Sequence, residues 1–312
     1  MAAIVTLTMN PAIDLSTSVE RVVPMRKLRC AGLRRDPGGG GINVARVVRR
    51  MGAEVAAIYT AGGSLGRLLR SLVEEADIAS IALAIAAETR EDFTVDEEAT
   101  GQQFRFVLAG PRLVKREWQA CLNRLSSLDP FPQYLVASGS LPPGVPDDFY
   151  RRVARLAHER RAKLVLDTSG PPLAEALAEG VFLIKPNLNE LSALIGARPS
   201  AEAQAIEASR RMVAQGQAEV VALTLGDRGA VLTSADGTWR APAPPIKPVS
   251  GVGAGDSFVG GMIWSLAAGH AVETAFRYGV AAGTAAVLSA GTQLCQRPDV
   301  ERLYQMIELA KE

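Results

Sequence analysis

Short apolar runs alternate with longer amphipathic stretches through most of the chain. AIVTLTM (3–9), EVAAIY (54–59), YLVAS (134–138), KLVLD (163–167), VFLIK (181–185) and EVVALT (219–224) are almost continuously apolar, as strands buried on both faces are. Between them, INVARVVRRM (42–51), LGRLLRSLVEEA (65–76), PDDFYRRVARLAHERR (146–161) and AEAQAIEASRRMVAQG (201–216) repeat apolar residues at helical spacing. The alternation predicts an α/β fold, a parallel sheet with helices on both faces. Two segments break the rhythm. Residues 12–36 and 88–110 carry LRCAGLRR, EDFTV and QQFRFVLA with no helix between them. They read as a small separate sheet, a lid built from two insertions, or as plain surface hairpins.

Composition narrows the class of protein. The 312 residues are 48% hydrophobic and 21% charged, with a formal net charge of +1. Such a balance supplies a sizeable core and no electrostatic reason for a nucleic-acid or membrane partner. Cys30, Cys121 and Cys295 are far apart, and the histidines are His158 and His270, so neither a disulfide framework nor a structural zinc site is expected. The segment MAAIVTLTMNPAID has no basic region and contains Asp14, unlike a secretory signal. The most apolar run, IASIALAIAA (78–87), is too short to span a bilayer. A cytoplasmic location is expected.

The chemistry concentrates in PVSGVGAGDSFVGG (248–261). Phe258, Met262 and Leu266 recur at helical spacing, so a helix begins near Gly255. A helix N-terminus exposes unpaired N–H groups and about half a positive charge. Glycines 251, 253 and 255 remove side chains that would keep a phosphate or developing anion from those donors. Asp256 there has two readings: a residue stabilising the helix start, or a general base for a hydroxyl attacking a phosphoryl group held by the adjacent amides. A cap alone has no use for three alternate glycines, which favours the base. Neither GxxxxGK[ST], nor GxGxxG followed by an acid, nor HRD or DFG occurs, so the P-loop solution is not used and dinucleotide binding and the protein-kinase type are disfavoured.

VGAGDSFVGG, together with PGGGGINVAR (37–46) and KPNLNEL (185–191), resembles the ribokinase-like, or PfkB, family of carbohydrate kinases, and the likeness runs over essentially the whole chain. TLTMNPAIDL, KLRC (27–30), SGSLPPGV (138–145) and GTQLC (291–295) resemble the branch acting on fructose 6-phosphate, although TMNPAID is common to the branches acting on other sugar phosphates as well. The resemblance implies a three-layer sandwich with a mostly parallel central sheet and a small β-sheet lid. The core would be 1–11, 37–87 and 111–312, and the lid 12–36 and 88–110. It further implies ATP-dependent phosphorylation of D-fructose 6-phosphate at the 1-hydroxyl, a glycolytic step, with lids pairing in a homodimer.

Residue by residue, the resemblance makes Asp256 the base and the amides of Gly253, Ala254 and Gly255 the anion hole. Asp14, Gly38, Gly39, Asn43 and Ser138 would meet the sugar, with Arg90, Lys27, Arg29 and Arg105 as candidates for its phosphate. Each of these four basic residues also reads, singly, as a solvated surface charge. Lys185, Asn187, Thr224, Gly226, Gly229 and Gly283 would meet ATP, Gly226 and Gly229 equally suiting a hairpin turn. Glu190 and Asn187 would hold Mg2+ through water, and Ser250, Val252, Ala286, Ser289, Gly291 and Gln293 match a potassium loop. Ser289 and Gln293 stand where the family's Asn and Arg are expected, and Gly251 where Thr is usual. Relatives acting on fructose 1-phosphate or tagatose 6-phosphate read GGKG where this chain has Gly40 in the third position. Kinases for those sugars are the rival reading. A non-catalytic sugar-phosphate-binding regulator is more remote, because Asp256, Asn187 and Glu190 are all present.

Overall fold

The computed structural model describes residues 2–196, 202–289 and 291–312. In chain order the strands are β1 Ile4–Thr8, β2 Ala12–Val19, β3 Ala31–Gly38, β4 Val55–Ala61, β5 Ala79–Ala84, β6 Arg90–Glu97, β7 Gln103–Phe106, β8 Tyr134–Ser138, β9 Lys163–Asp167, β10 Val181–Ile184, β11 Ala218–Thr224, β12 Ala230–Ser234, β13 Gly237–Ala241 and β14 Ala310–Lys311. The helices are α1 Gly40–Arg50, α2 Gly63–Glu75, α3 Lys115–Ser126, α4 Phe149–Glu159, α5 Pro171–Leu177, α6 Leu188–Ile195, α7 Glu202–Ala214, α8 Ala254–Ala267, α9 Val272–Ala286 and α10 Arg297–Tyr304.

Each apolar run read from the sequence forms a strand of one ten-stranded sheet, ordered β14-β13-β12-β11-β10-β9-β8-β1-β4-β5. Pairing is parallel from β11 through β5 and antiparallel among β11, β12, β13 and β14. Alternate residues of a strand enter opposite cores. Ile4 of β1 joins α1, α2, α8, α9 and α10 on one face, while Val5 and Leu7 join α3, α4, α5, α6 and α7 on the other. Burial on both sides is why these strands lack alternating polarity. The apolar run at 78–87 supplies β5, an edge strand. Its position explains its incomplete burial. The helical pattern at 201–216 is α7, residue 201 lying outside the described residues.

The two segments without helices make a second sheet, β3-β2-β6-β7. Its registers give it two chemically distinct faces, since opposed residues share a face. Asp14 opposes Asp36 and Asp92, and Arg105 opposes Thr94, on one face; Leu15 opposes Phe93, and Phe93 opposes Phe106, on the other. The polar face looks into the cleft above the large sheet, where Asp14, Asp92 and Arg105 line a common wall. Among the described residues, no helix is long and apolar enough to cross a membrane.

Candidate active site

Two clefts meet at the N-terminus of α8. The larger, about 680 Å³, is walled by Thr224 at the end of β11, Gly226 and Gly229 after it, by Ala243 to Ile246 and Pro248, and by Val280, Gly283 and Thr284 of α9 with Val287 just beyond. Its floor holds Gly251, Ala254 and Gly255. The α9 residues recur at helical spacing, so one face of the helix forms the wall. The smaller, about 300 Å³, is polar and lined by Asp14, Asn43, Arg90, Arg105, Asp167, Glu190, Gly253 and Asp256 among others. The loops after β1, β8, β9 and β10 all reach this end of the sheet, as a parallel α/β sheet requires of a ligand site.

Gly253 caps α8 in the left-handed region at φ 74°. The first helical bond runs from Ser257 N to Gly253 O, 2.8 Å, so the amides of Gly253, Ala254, Gly255 and Asp256 lack helical partners and point at the junction of the clefts. A Cβ on Gly255 would stand 3.3 Å from Lys185 Nζ, so the glycine keeps amide and ammonium open to one ligand. Gly251 differs. A Cβ there meets no protein atom within 4 Å, so the space it leaves opens on the larger cleft, whose floor it forms.

Asp256 does not cap its helix. No side-chain cap bond forms at α8; instead its Oδ2 accepts from Asn43 Nδ2 at 2.9 Å. Burial, reinforced by the negative charge of Asp167, raises its carboxyl to about 7, although Asn43, Lys185 and Arg105 pull the other way. Asp14 is likewise raised to about 7, by burial first and then by Asp92. A carboxyl poised there suits proton transfer near neutral pH. Lys185 is buried and 3.4 Å from Asp167; burial opposes its charge, but Asp167, Glu190 and Asp256 outweigh that and hold it above its ordinary value.

The sequence-predicted sugar residues converge for the most part. Asp14, Gly39, Asn43, Arg90, Arg105 and Ser138 share the smaller cleft, and a Cβ on Gly38 would collide with the Asp14 carboxylate. Gly38 therefore makes room for a side chain, not for sugar directly. Gly40 is packed against Ser138 in the same way. Arg90 donates to the carbonyl of Asn10 at 3.1 Å and pairs with Asp92 at 3.2 Å, while its buried Nε lacks a partner among the described residues. Lys27 and Arg29 do not join them; they stand exposed between β2 and β3.

On the nucleotide side, Thr224, Gly226, Gly229, Gly283 and Asn187 line the larger cleft. Gly226 and Gly229 also bound the turn from β11 to β12. Asn187 and Glu190 form a reciprocal cap of α6: Asn187 Oδ1 accepts from Asn189 N and Glu190 N, and Glu190 Oε2 accepts from Asn187 N, each at 2.9 Å. The NxxE spacing thus builds a capping box. It leaves the Asn187 amide NH2 and the second Glu190 oxygen for the clefts. That Glu190 oxygen, with Asp167 in the same cleft, suits a hard cation such as magnesium held through water, whereas the Asn187 NH2 only donates and can face phosphate but not the metal. Among the described residues, no three His, Cys, Asp or Glu groups form a ready-made metal cage.

The potassium set fits less well. Ser250 Oγ donates to Gly291 O at 3.3 Å and accepts from Val252 N at 3.2 Å, Ser250 N donates to Val287 O at 3.2 Å, and Ser289 N donates to Ala286 O at 3.0 Å, so these five positions gather around the C-terminal end of α9. Gln293 is the exception. Its carbonyl accepts from Arg50 Nη1, which also reaches Cys295 O at 3.2 Å, and a guanidinium there opposes a second cation.

Several site residues carried no local signal. Asp92, Asp36 and Arg46 matter only through partners on other elements of the fold.

A model described as "pfkB family carbohydrate kinase" matches residues 2–299. The chain belongs to the PfkB family of carbohydrate kinases. It is 44% identical over 303 residues to the ATP-dependent 6-phosphofructokinase isozyme 2 of Mycobacterium tuberculosis, covering 97% of this chain and 89% of that one. The crystal structure of phosphofructokinase-2 from Escherichia coli in complex with potassium superposes with a TM-score of 0.93 at 37% identity, covering 98% of this chain and 99% of that chain. The tetrameric inhibited form of the same Escherichia coli protein gives 0.92 at 36%, with the same coverage. The three-layer sandwich with a second sheet is thus the family's fold, as the resemblance implied.

Proposed function

We propose that this PfkB kinase transfers the γ-phosphoryl group of ATP to the 1-hydroxyl of D-fructose 6-phosphate, yielding fructose 1,6-bisphosphate in glycolysis. The reading rests above all on the seat of Asp256, at the meeting of a large, largely apolar cleft and a small polar one carrying Arg90 and Arg105. Near-full-length relatives named 6-phosphofructokinase support the choice of sugar phosphate, as does Gly40 where other branches have Lys.

In this mechanism the adenine lies against the α9 wall and Lys185 neutralises nucleotide phosphate. Asn43 and Asp14 orient the sugar, with Arg90 and Arg105 toward its 6-phosphate. Asp256 takes the proton of the 1-hydroxyl as that oxygen bonds to the γ-phosphorus and the bond to the β-phosphate oxygen breaks. The amides of Gly253, Ala254 and Gly255 hold the equatorial oxygens, so the protein's main work is positioning and charge neutralisation. Glu190, with its free oxygen, and Asn187, through its amide, would stand around magnesium-bound phosphate; magnesium supplies charge neutralisation on the phosphoryl oxygens when bound. Ser250, Val252, Ala286, Ser289 and Gly291 remain a candidate oxygen loop for potassium, without Gln293. The apolar outer face of the small sheet supports a homodimer formed lid to lid.

A rate panel with magnesium and ATP tests the reading. Turnover of fructose 6-phosphate should exceed that of fructose 1-phosphate and tagatose 6-phosphate in kcat/KM, and Asp256→Asn should lower kcat by about 10²–10⁴-fold with ATP binding retained. Equal kcat/KM on the three sugars, or near-normal kcat in the variant, defeats it.

A further inference from the structure

A buried chain of polar side chains runs behind Asp256. Thr292 Oγ1, in the loop after α9, donates to Asp36 Oδ2 at 2.6 Å, and Asp36 Oδ1 accepts from Arg46 Nη2 at 3.0 Å. Arg46 Nη1 donates to Asn43 Oδ1 at 3.0 Å and to Pro37 O at 3.1 Å. Asn43 Nδ2 then donates to Asp256 Oδ2 at 2.9 Å. Thr292, Asp36, Arg46 and Asn43 are each 5% exposed or less. Arg34 closes on Asp36 from the solvent side, at 2.6 and 2.9 Å.

The chemistry of this chain has one direction. A guanidinium only donates and an ionised carboxylate only accepts, so an amide lodged between them satisfies both in a single orientation. Asn43 lies three residues before Arg46 in α1, hence on the same helical face. A buried arginine is costly to place, and burial lowers Arg46 to about 10 despite Asp36 and Asp14. Satisfying Asp36 alone does not require it, because Arg34 and Thr292 already bond that carboxylate.

We propose that Arg46 is a positioning residue for the phosphoryl-transfer step: clamped by Asp36, it locks the Asn43 amide so that its NH2 holds one oxygen of Asp256 and leaves the other to take the substrate proton. Asp36 lies on β3 of the small sheet and Thr292 beside the Gly291 loop, so the lock ties the base to both. Loss of the Arg46 donor frees Asn43 to turn its carbonyl toward the carboxylate, and the base loses its fixed geometry.

The proposal rests on Asp256 being the base, and the experiment separates the two. Arg46→Met should lower kcat on the order of tenfold to a hundredfold with KM for ATP unchanged, measured per folded molecule after a thermal melt. Arg46→Lys, still an obligate donor, should recover most of the loss. In an Asn43→Ala background, Arg46→Met should cost nothing more in kcat. Additive losses in the double variant, no loss in Arg46→Met, or failure of Lys to restore activity while the fold is intact overturns the proposal. Should Arg46→Met not fold, Asp36→Asn carries the same cycle: a kcat loss that vanishes in the Asn43→Ala background supports it, and a loss that persists, or none at all, overturns it. Near-normal kcat in Asp256→Asn instead overturns the underlying assignment of the base.

Discussion

At the scale of single residues, the two carboxyls raised to about 7 make a joint prediction. A base works only when ionised, so kcat/KM for fructose 6-phosphate should fall as pH drops through about 7. Asp14 and Asp256 feel each other's charge, so the limb reports the pair. A profile flat between pH 5 and 8 would refute it. The same shift acts on stability. A carboxyl whose folded pKa of about 7 lies above its ordinary 3.8 binds more protons folded than unfolded between those values. Stability is therefore lost as pH rises across that window and the penalty persists above it. Asp256→Asn removes the ionisation while its amide oxygen still accepts from Asn43. Its Tm should exceed that of the unsubstituted protein at pH 8, with the difference shrinking toward pH 4; an equal or lower Tm at pH 8 contradicts this. Asp256 was readable from the sequence because glycines and a helix onset flank it. Arg46 was not: within VARVVRR it looks like one more solvated arginine, and only folding places it against Asp36.

At the scale of elements, α8 depends on one unusual residue. Gly253 combines φ 74° with a Cβ position that collides with Leu294 Cδ2. Gly253→Ala should destabilise by about 1–2 kcal/mol from the left-handed backbone alone and should lower kcat by displacing the amides at the helix start. Gly251→Ala, whose Cβ meets nothing within 4 Å, should leave Tm unchanged in the same melts. Equal effects at the two positions would mean that the glycines serve chain flexibility in general. The start of α8 near Gly255 was legible from Phe258, Met262 and Leu266; the unequal duties of Gly251 and Gly253 were not, because they depend on Leu294, far along the chain. In α6, the NxxE spacing was read as ligand chemistry, yet its first duty is the cap, since both groups sit where orphan amides need acceptors.

At the scale of the whole molecule, the small sheet turns Asp14, Asp92 and Arg105 toward the cleft and Phe93 and Phe106 away from it. Phe106 is 55% exposed, Leu33 57% and Phe93 40%, an apolar patch of a kind monomers seldom leave bare. Its outer strands β3 and β7 are open edges, a further reason for covering. Light scattering after size exclusion should show a dimer or larger assembly that Phe106→Glu shifts toward monomer. A monomer at micromolar concentration without substitution would remove the lid-to-lid assembly. The Escherichia coli relative is described in a tetrameric inhibited form, so the measurement should resolve four copies as well as two.

Periodicity is a local property, and from it alone the sequence determined the α/β layering, the buried strands and the glycine-flanked aspartate at a helix start. It could not determine partnership across long separations, because side-chain hydrogen bonds leave no spacing in the chain. Asn43 and Asp256 are 213 positions apart, and Thr292 and Asp36 are 256 apart. Only the tertiary structure decided which charges are clamped, that Lys27 and Arg29 stand away from the cleft, and that Arg50 occupies the Gln293 carbonyl. Those outcomes follow from burial, which is set by what the whole fold packs against each residue.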